Sequence, residues 1–334
     1  MFCARFNAVR TTAGLLLLGL SLVLCGVAVA APTYVAKVSS ANPASHASVK
    51  GLEKFAMLVR ERTSGDVDIR VFPNSQLGGE AESLESMRLG SLQGGMITSS
   101  LFSQWVPETG ALDLPFLFRD DAQTQRACGS IIQSELVSKF AAKGFRSLGC
   151  FNFGARHLIS TFPVNRIEDI KGKKIRVIQS PIHIKMWQLA GANPTPIPAP
   201  ETYSAMQSRV VDMMDNPKTT YLAAKWYEVG KFYIPTGHVN AIQFLVFSES
   251  WFQKLPKKHQ DVMAATAAEV LPAVFQELQA AEAESLRKTV ELGSTVIQLA
   301  DLPKWKAAML PLHAEFAASV PSAKPLIDGI SNTK

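Results

Sequence analysis

The chain predicts an α/β protein of two lobes, each built on a sheet with helices on its faces. Three observations carry this. Apolar runs at strand period alternate with runs at helical period along nearly the whole length, a βαβ rhythm that argues for a mainly parallel sheet. Once an N-terminal leader is set aside, about 300 residues remain, a length that ordinarily divides into two cores. No internal repeat, low-complexity tract or polar linker marks a boundary, which suggests lobes joined by crossing strands.

The leader occupies residues 1–30. Arg5 and Arg10 form a positive start, residues 13–24 a short apolar run, and Ala28-Val29-Ala30 a small-x-small signature before Ala31-Pro32. The run is shorter than the roughly 20 apolar residues a spanning helix needs, so it reads as a secretory signal peptide cleaved near Ala30/Ala31. Cys25 is not preceded by the small residues of a lipid-attachment signal, and no second apolar stretch of spanning length follows. The mature chain is expected to be exported and soluble.

Export changes the charge and the cysteine count. The leader removes two of the 34 Lys and Arg and none of the 28 Asp and Glu, leaving a net charge of about +4. The basic residues are scattered and not interleaved with aromatics, which excludes a nucleic-acid stripe. Cys128 and Cys150 remain in the mature chain. An oxidising compartment permits a disulfide between them, with two separate buried thiols as the alternative.

The elements follow in order. Residues 34–39 read as a strand, and 48–63 as an amphipathic helix with Leu52, Phe55, Ala56 and Val59 on one stripe. Ser64-Gly65 ends that helix, and 67–72 alternates as a second strand. A turn-rich loop, Pro73 to Gly79, leads into a helix from Glu80. Strands are expected at 95–99 and 145–153, with a helix at 131–142 between them. Phe102 and Trp105 read as core aromatics, with a place in the pocket wall as the alternative. Beyond Gly154 come a strand at 171–178, a helix near 182–190, the proline-rich stretch 192–198, a helix at 200–208 and a strand at 210–214. Residues 242–247 form a strongly apolar strand. Residues 256–292 are helical, with Pro272 expected to break or kink the helix and Gly293 a C-cap. A strand at 296–299 and a helix at 303–319 complete the chain.

Motifs for catalysis are missing: there is no Gly-x-Ser-x-Gly, His-Glu-x-x-His, phosphate-cradling glycine loop or Cys-x-x-Cys. The six histidines fall at no metal-ligand spacing. No cofactor or metal is expected.

What stands out suits an anion. Arg176 lies between Ile175 and Val177, so alternation puts it on the opposite face of its strand. A guanidinium set that far into an apolar strand ordinarily faces a carboxylate, the alternative being a basic strand end whose charges are solvated or paired within the protein. Gly154-Ala155-Arg156 places a second arginine at a strand end, where ligands lie in open α/β sheets. Asp215-Asn216-Pro217 ends another apolar strand with a short amide, with a simple turn as the alternative.

Several of these stretches together resemble the substrate-binding proteins of tripartite ATP-independent periplasmic (TRAP) transporters, the DctP-like family. They are Phe72-Pro73-Asn74-Ser75-Gln76-Leu77-Gly78-Gly79-Glu80, Gly154-x-Arg156, Gly172-Lys173-Lys174-Ile175-Arg176-Val177, Ala192-Asn193-Pro194-Thr195-Pro196, Val211-Asp212-x-x-Asp215-Asn216-Pro217 and Tyr227-Glu228-Val229. The likeness runs from about Tyr34 to Val320.

The resemblance implies a two-lobed periplasmic-binding-protein-like fold of the class II type, with hinge strands and a long helix spanning both lobes. The implied lobes are 31–153 with 242–281, and 154–241 with 282–334. It implies periplasmic capture of a small organic acid in the interlobe cleft and delivery to a permease of small and large integral-membrane subunits, by a monomer with no nucleic-acid partner. Arg176 is similar to the arginine that pairs with the ligand carboxylate, Arg156 to a second hydrogen-bonding arginine, and Asn216 to a pocket asparagine. Asp215 belongs to the same motif, and Ser40 and Ser99 stand at strand ends that would contact ligand from the other lobe. Two departures from the family pattern, Met213-Met214-Asp215 before Asn-Pro and Ala199-Pro200 after the proline-rich stretch, would reshape the cavity. The alternatives are a periplasmic hydrolase or isomerase acting on an organic acid, and a binding protein that feeds a sensor.

Overall fold

The computed structural model describes residues 31–333. The expected signal peptide, residues 1–30, lies outside the described residues. Among those described, no helix is long and apolar enough to cross a membrane.

The chain runs β1 (Tyr34–Ser40), α1 (Ala47–Arg62), β2 (Val67–Phe72), α2 (Glu80–Arg88), β3 (Gly94–Thr98), α3 (Asp121–Cys128), α4 (Ile131–Ala142) and β4 (Phe145–Ser160). It continues through β5 (Lys174–Val177), α5 (Pro181–Leu189), β6 (Asn193–Pro196), α6 (Thr202–Gln207), β7 (Met213–Asn216), α7 (Lys218–Ala223), β8 (Phe232–Ser248) and α8 (Glu249–Phe252). Last come α9 (Lys257–Glu291), β9 (Thr295–Val296), α10 (Leu302–Met309), α11 (Pro311–Ser319) and α12 (Lys324–Asn332).

All nine strands of the described residues belong to one sheet, ordered β2-β1-β3-β8-β4-β7-β5-β6, with β9 beside the start of β8. The expected mainly parallel sheet is mixed. The pairs β1–β2, β1–β3, β5–β6, β5–β7 and β8–β9 are parallel, but β3–β8, β8–β4 and β4–β7 are antiparallel. The reason is that β8 returns between β3 and β4, a tertiary choice that local periodicity does not encode.

The two long central strands make the two lobes. Residues 145–152 of β4 and 242–248 of β8 lie in the half of the sheet with β3, β1 and β2. Their other ends, residues 157–160 and 232–234, lie with β7 and β9. Sequence periodicity sees only half of each strand, because glycine and proline interrupt the apolar pattern midway. The ladder survives those interruptions by shifting register after Ser147, Asn152 and Arg156. Gly154 takes φ +115°, where an added Cβ would stand 3.0 Å from Glu282 Oε1. Opposite Arg156 and Leu158, residues 235–238 of β8 bulge from the ladder. There Leu158 N donates to Thr236 Oγ1 at 3.2 Å and Gly237 N to His157 Nδ1 at 3.0 Å, so side chains satisfy the freed backbone donors.

Helix α9 is continuous over 35 residues, roughly 50 Å at 1.5 Å per residue, and touches α1, β4 and α7. Gly51 of α1 lets the two helices close, since a Cβ there would meet Val274 Cγ2 at 2.1 Å. The expected break at Pro272 does not occur. Pro272 and Ala268, whose carbonyl loses its partner, both lie on the exposed face, where water can take the lost bond. The expected single helix at 303–319 is two, α10 and α11, and α12 follows. Helices α10 and α11 pack on α5 while α12 packs on α4, so the C-terminal segment touches both halves. Phe102 is fully buried, with edge-on contacts to Phe140, Phe145 and Phe244.

Candidate functional site

A cavity of about 500 Å³ opens where the two halves of the sheet face one another. Its walls come from strand ends and the turns after them, because backbone there is free to present side chains. Arg176 projects into it from β5, opposite in parity to the buried Ile175 and Val177. The guanidinium is only 3 % exposed. Its Nε donates to the Ile197 carbonyl at 2.9 Å, so the proline-rich segment next to edge strand β6 fixes its aim. Pro194 and Pro196 are tolerated because β6 is an edge. Among the described residues Arg176 makes no ion pair. Burial, then repulsion from Arg156, pulls its pKa down to about 10, against the attraction of Asp215 and Glu80. It is charged at neutral pH.

Arg156, on β4, is equally buried and lines the same cavity. Its Nε donates to Asp215 Oδ2 at 2.7 Å and its other arm to the Asp215 carbonyl. Asp215 also meets His238 Nε2 at 3.0 Å, and His238 Nδ1 meets Thr236 Oγ1 at 2.8 Å. The bulge in β8 is what turns Thr236 and His238 inward. Burial works to raise the Asp215 carboxyl, but the Arg156 charge and the His238 hydrogen bond outweigh it and hold it well below the usual carboxylate range. Burial lowers the His238 imidazole despite Asp215. The result is a closed charge relay behind the cavity wall, with part of the Arg156 fork left facing the cavity.

The remaining polar groups complete the wall. Asn216, next to Asp215 on β7, is oriented by its pairing with His157, and its carboxamide makes no hydrogen bond among the described residues. Across the cavity, Glu80 opens α2 and accepts from the backbone and hydroxyl of Thr98, at 2.8 and 2.9 Å. Burial raises the Glu80 carboxyl above its ordinary value, against these hydrogen bonds and the two arginines. Gln243, on β8 opposite Thr98, is buried with its Oε1 unpartnered. Asn74 and Ser75 reach the cavity because two successive left-handed residues fold their loop back, with Asn74 N on the Asn42 carbonyl and Ser75 N on the Ser40 carbonyl.

Of the six site residues expected from sequence, Arg176, Arg156 and Asn216 come together on this wall. Ser40, Ser99 and Asp215 are not among the lining residues. Ser40 Oγ accepts from Asn42 N, Ser99 Oγ donates to Asp113 Oδ2 at 3.2 Å, and Asp215 stands behind Arg156. Each is one residue from a position that does line the cavity: Ala41, Thr98 and Asn216. Along a strand a slip of one residue changes face. Sequence reasoning left Glu80 and Gln243 unassigned. Gln243 had a signal, as the lone polar residue in the apolar run Ala241 to Phe247.

Residues 38–319 match the bacterial extracellular solute-binding proteins, family 7 (DctP). The sialic acid-binding periplasmic protein SiaP of Vibrio cholerae is 31% identical over 82% of this chain and 84% of its own. A TRAP periplasmic solute-binding protein of Xanthobacter autotrophicus, solved with bound β-D-galacturonate, superposes with a TM-score of 0.86 at 32% identity, covering 90% of this chain and all of that one. One from Sulfurospirillum deleyianum, with bound succinate, gives 0.85 at 29% identity over 91% of this chain and all of its own. The unpaired arginine at the cavity thus stands in a chain that belongs to the DctP family, the solute-binding subunits of TRAP transporters.

Proposed function

We propose that the mature chain is an exported, monomeric binding protein that captures an organic acid anion bearing hydroxyl groups and hands it to a membrane permease of small and large subunits. The observation that carries the reading is Arg176: a buried, charged, unpaired guanidinium facing a cavity of ligand size. A carboxylate would accept two parallel hydrogen bonds from its free arms, and the free part of the Arg156 fork and the Asn216 carboxamide would complete its shell. The opposite wall favours a particular tail. The Glu80 carboxyl is an acceptor, which suits a hydroxyl donor and opposes a second carboxylate beside it. A uronate fits this better than a dicarboxylate, and the galacturonate held by the Xanthobacter relative is of that class.

A ligand bridging Arg176 and the Glu80–Gln243 wall favours closure of the lobes, because it contacts both only when they approach. We assign 31–153 with 242–281 to one lobe and 154–241 with 282–334 to the other. Support for that division is the pairing of Gly154 with Ala241 near the middle of the two crossing strands. Against a hydrolase or isomerase, the described cavity lining contains no histidine or cysteine.

A thermal-shift screen of the purified protein tests the reading, since a ligand that binds only the native state raises the melting temperature. Galacturonate and glucuronate are expected to raise it more than succinate. A larger shift with succinate would overturn the choice of tail, and no shift with any organic acid would overturn the binding function.

A further inference from the structure

We propose that Cys128 and Cys150 are joined by a disulfide in the exported protein, and that the bond fastens α3 to the hinge strand β4. Cys128 closes α3 and Cys150 lies in the first half of β4, 1 % and 5 % exposed. Both are free thiols in the structure, and the Cys150 thiol reaches the Cys128 carbonyl at 3.7 Å, which brings it beside the other cysteine. Burial, and then the hydrogen bond and charge of the neighbouring Cys128 thiol, raise the Cys150 thiol well above its usual range.

Helix α3 has a mechanical task that such a bond would serve. Asn152 N donates to Gln125 Oε1 at 2.9 Å, and Asn152 Nδ2 to Asp121 Oδ1 at 2.8 Å. From the other crossing strand, Asn240 Nδ2 donates to Thr124 Oγ1 at 2.9 Å. One face of α3 therefore grips both strands beside Gly154, where the ladder shifts register. Three hydrogen bonds of this kind can open individually, whereas a covalent link at the end of the same helix keeps it seated while the lobes move.

The compartment and the chemistry set when the bond forms. Family members work outside the cytoplasm, where disulfides persist. A buried thiol with a raised pKa is a poor nucleophile, so the bond forms while the chain is folding, before the core covers it. Each thiol gives up its proton, the S–S bond forms, and two electrons pass to an oxidant of the protein-disulfide class, which takes up two protons and becomes a dithiol.

Alkylation under denaturing conditions reads the state directly. Protein produced from the full chain and recovered from the periplasm is unfolded with a thiol-blocking reagent, and its intact mass is measured with and without prior reduction. The expected result is no adduct without reductant and two after it; two adducts without reductant would overturn the proposal. Melting curves supply a second readout. Reduction is expected to lower the melting temperature of the wild type by about 5–10 °C and leave a Cys128→Ser/Cys150→Ser variant unmoved. An equal response from both proteins would overturn the bracing role.

Discussion

Arg156 and Arg176 line one cavity, are equally buried, and stand in opposite electrical circumstances. Arg156 is committed on two sides to Asp215, which His238 supports in turn. Arg176 has a single hydrogen bond to a carbonyl and no counter-charge within ion-pair distance among the described residues. Burying a charge without its partner is unfavourable, so the two sites spend their charge differently. At Arg156 the protein supplies the anion and gains a rigid hinge. At Arg176, on the function proposed above, the anion is left for the ligand to supply. A buried arginine is therefore a binding residue or a structural one according to whether the fold has already matched it.

The largest effect that sharpens this contrast is expected from Asp215→Asn. The substitution keeps the shape but removes the charge that balances Arg156, which should cost about 3–5 kcal/mol of folding stability in urea unfolding. A loss below about 1 kcal/mol would mean that the pair is not what steadies the hinge.

Acid should weaken the hinge side next. The imidazole of His157 is held down to about 3 by burial, then by Lys218 and His238. In the unfolded chain a histidine takes up its proton near pH 6.5, so below that pH the unfolded state binds a proton that the folded state refuses. This contribution to stability is whole above pH 6.5 and falls away toward pH 3, by about 2 kcal/mol at pH 5. His157→Gln should remove that share of the slope. Melting curves at pH 7 and 5 that fall equally in both proteins would assign the acid sensitivity elsewhere.

A smaller effect, of opposite sign, is expected on the ligand side. The Glu80 carboxyl is raised, so the folded state holds its proton more tightly than the unfolded one. Its contribution is present below the ordinary carboxylate pKa and lost as pH rises through the raised value. Glu80→Gln should therefore gain on the wild type in melting temperature as pH rises from 4.5 to 7.5, while weakening binding of a hydroxylated acid. A constant difference across that range would show that Glu80 is not strained by the site.

The two arginines were legible from sequence because a charge inside an apolar strand is conspicuous, and Asn216 because it precedes a proline. Elements with unbroken periodicity, such as α1, β2 and α4, fall within a residue or so of where the pattern puts them. What was not legible is what depends on long-range pairing. Gly154, Pro235 and Gly237 look like breakers, so β4 and β8 appear half their length, and with them the antiparallel centre of the sheet is hidden. The same limit explains the single-residue offsets at Ser40 and Ser99. Which residue of a strand end faces the cavity is set by the neighbouring strand, through contacts such as Thr98 opposite Gln243. The partnership of Asp215 with His238 joins residues 23 positions apart across that hidden bulge.

The most direct test is calorimetric titration of Arg176→Ala beside the wild type, with whichever uronate raises the wild-type melting temperature most. Removing the unmatched guanidinium should weaken binding by about 2–5 kcal/mol, roughly 30- to 5,000-fold, without lowering the melting temperature of the ligand-free protein. Affinity within about threefold of the wild type would contradict the account, because the ligand's anion would then be matched somewhere other than Arg176.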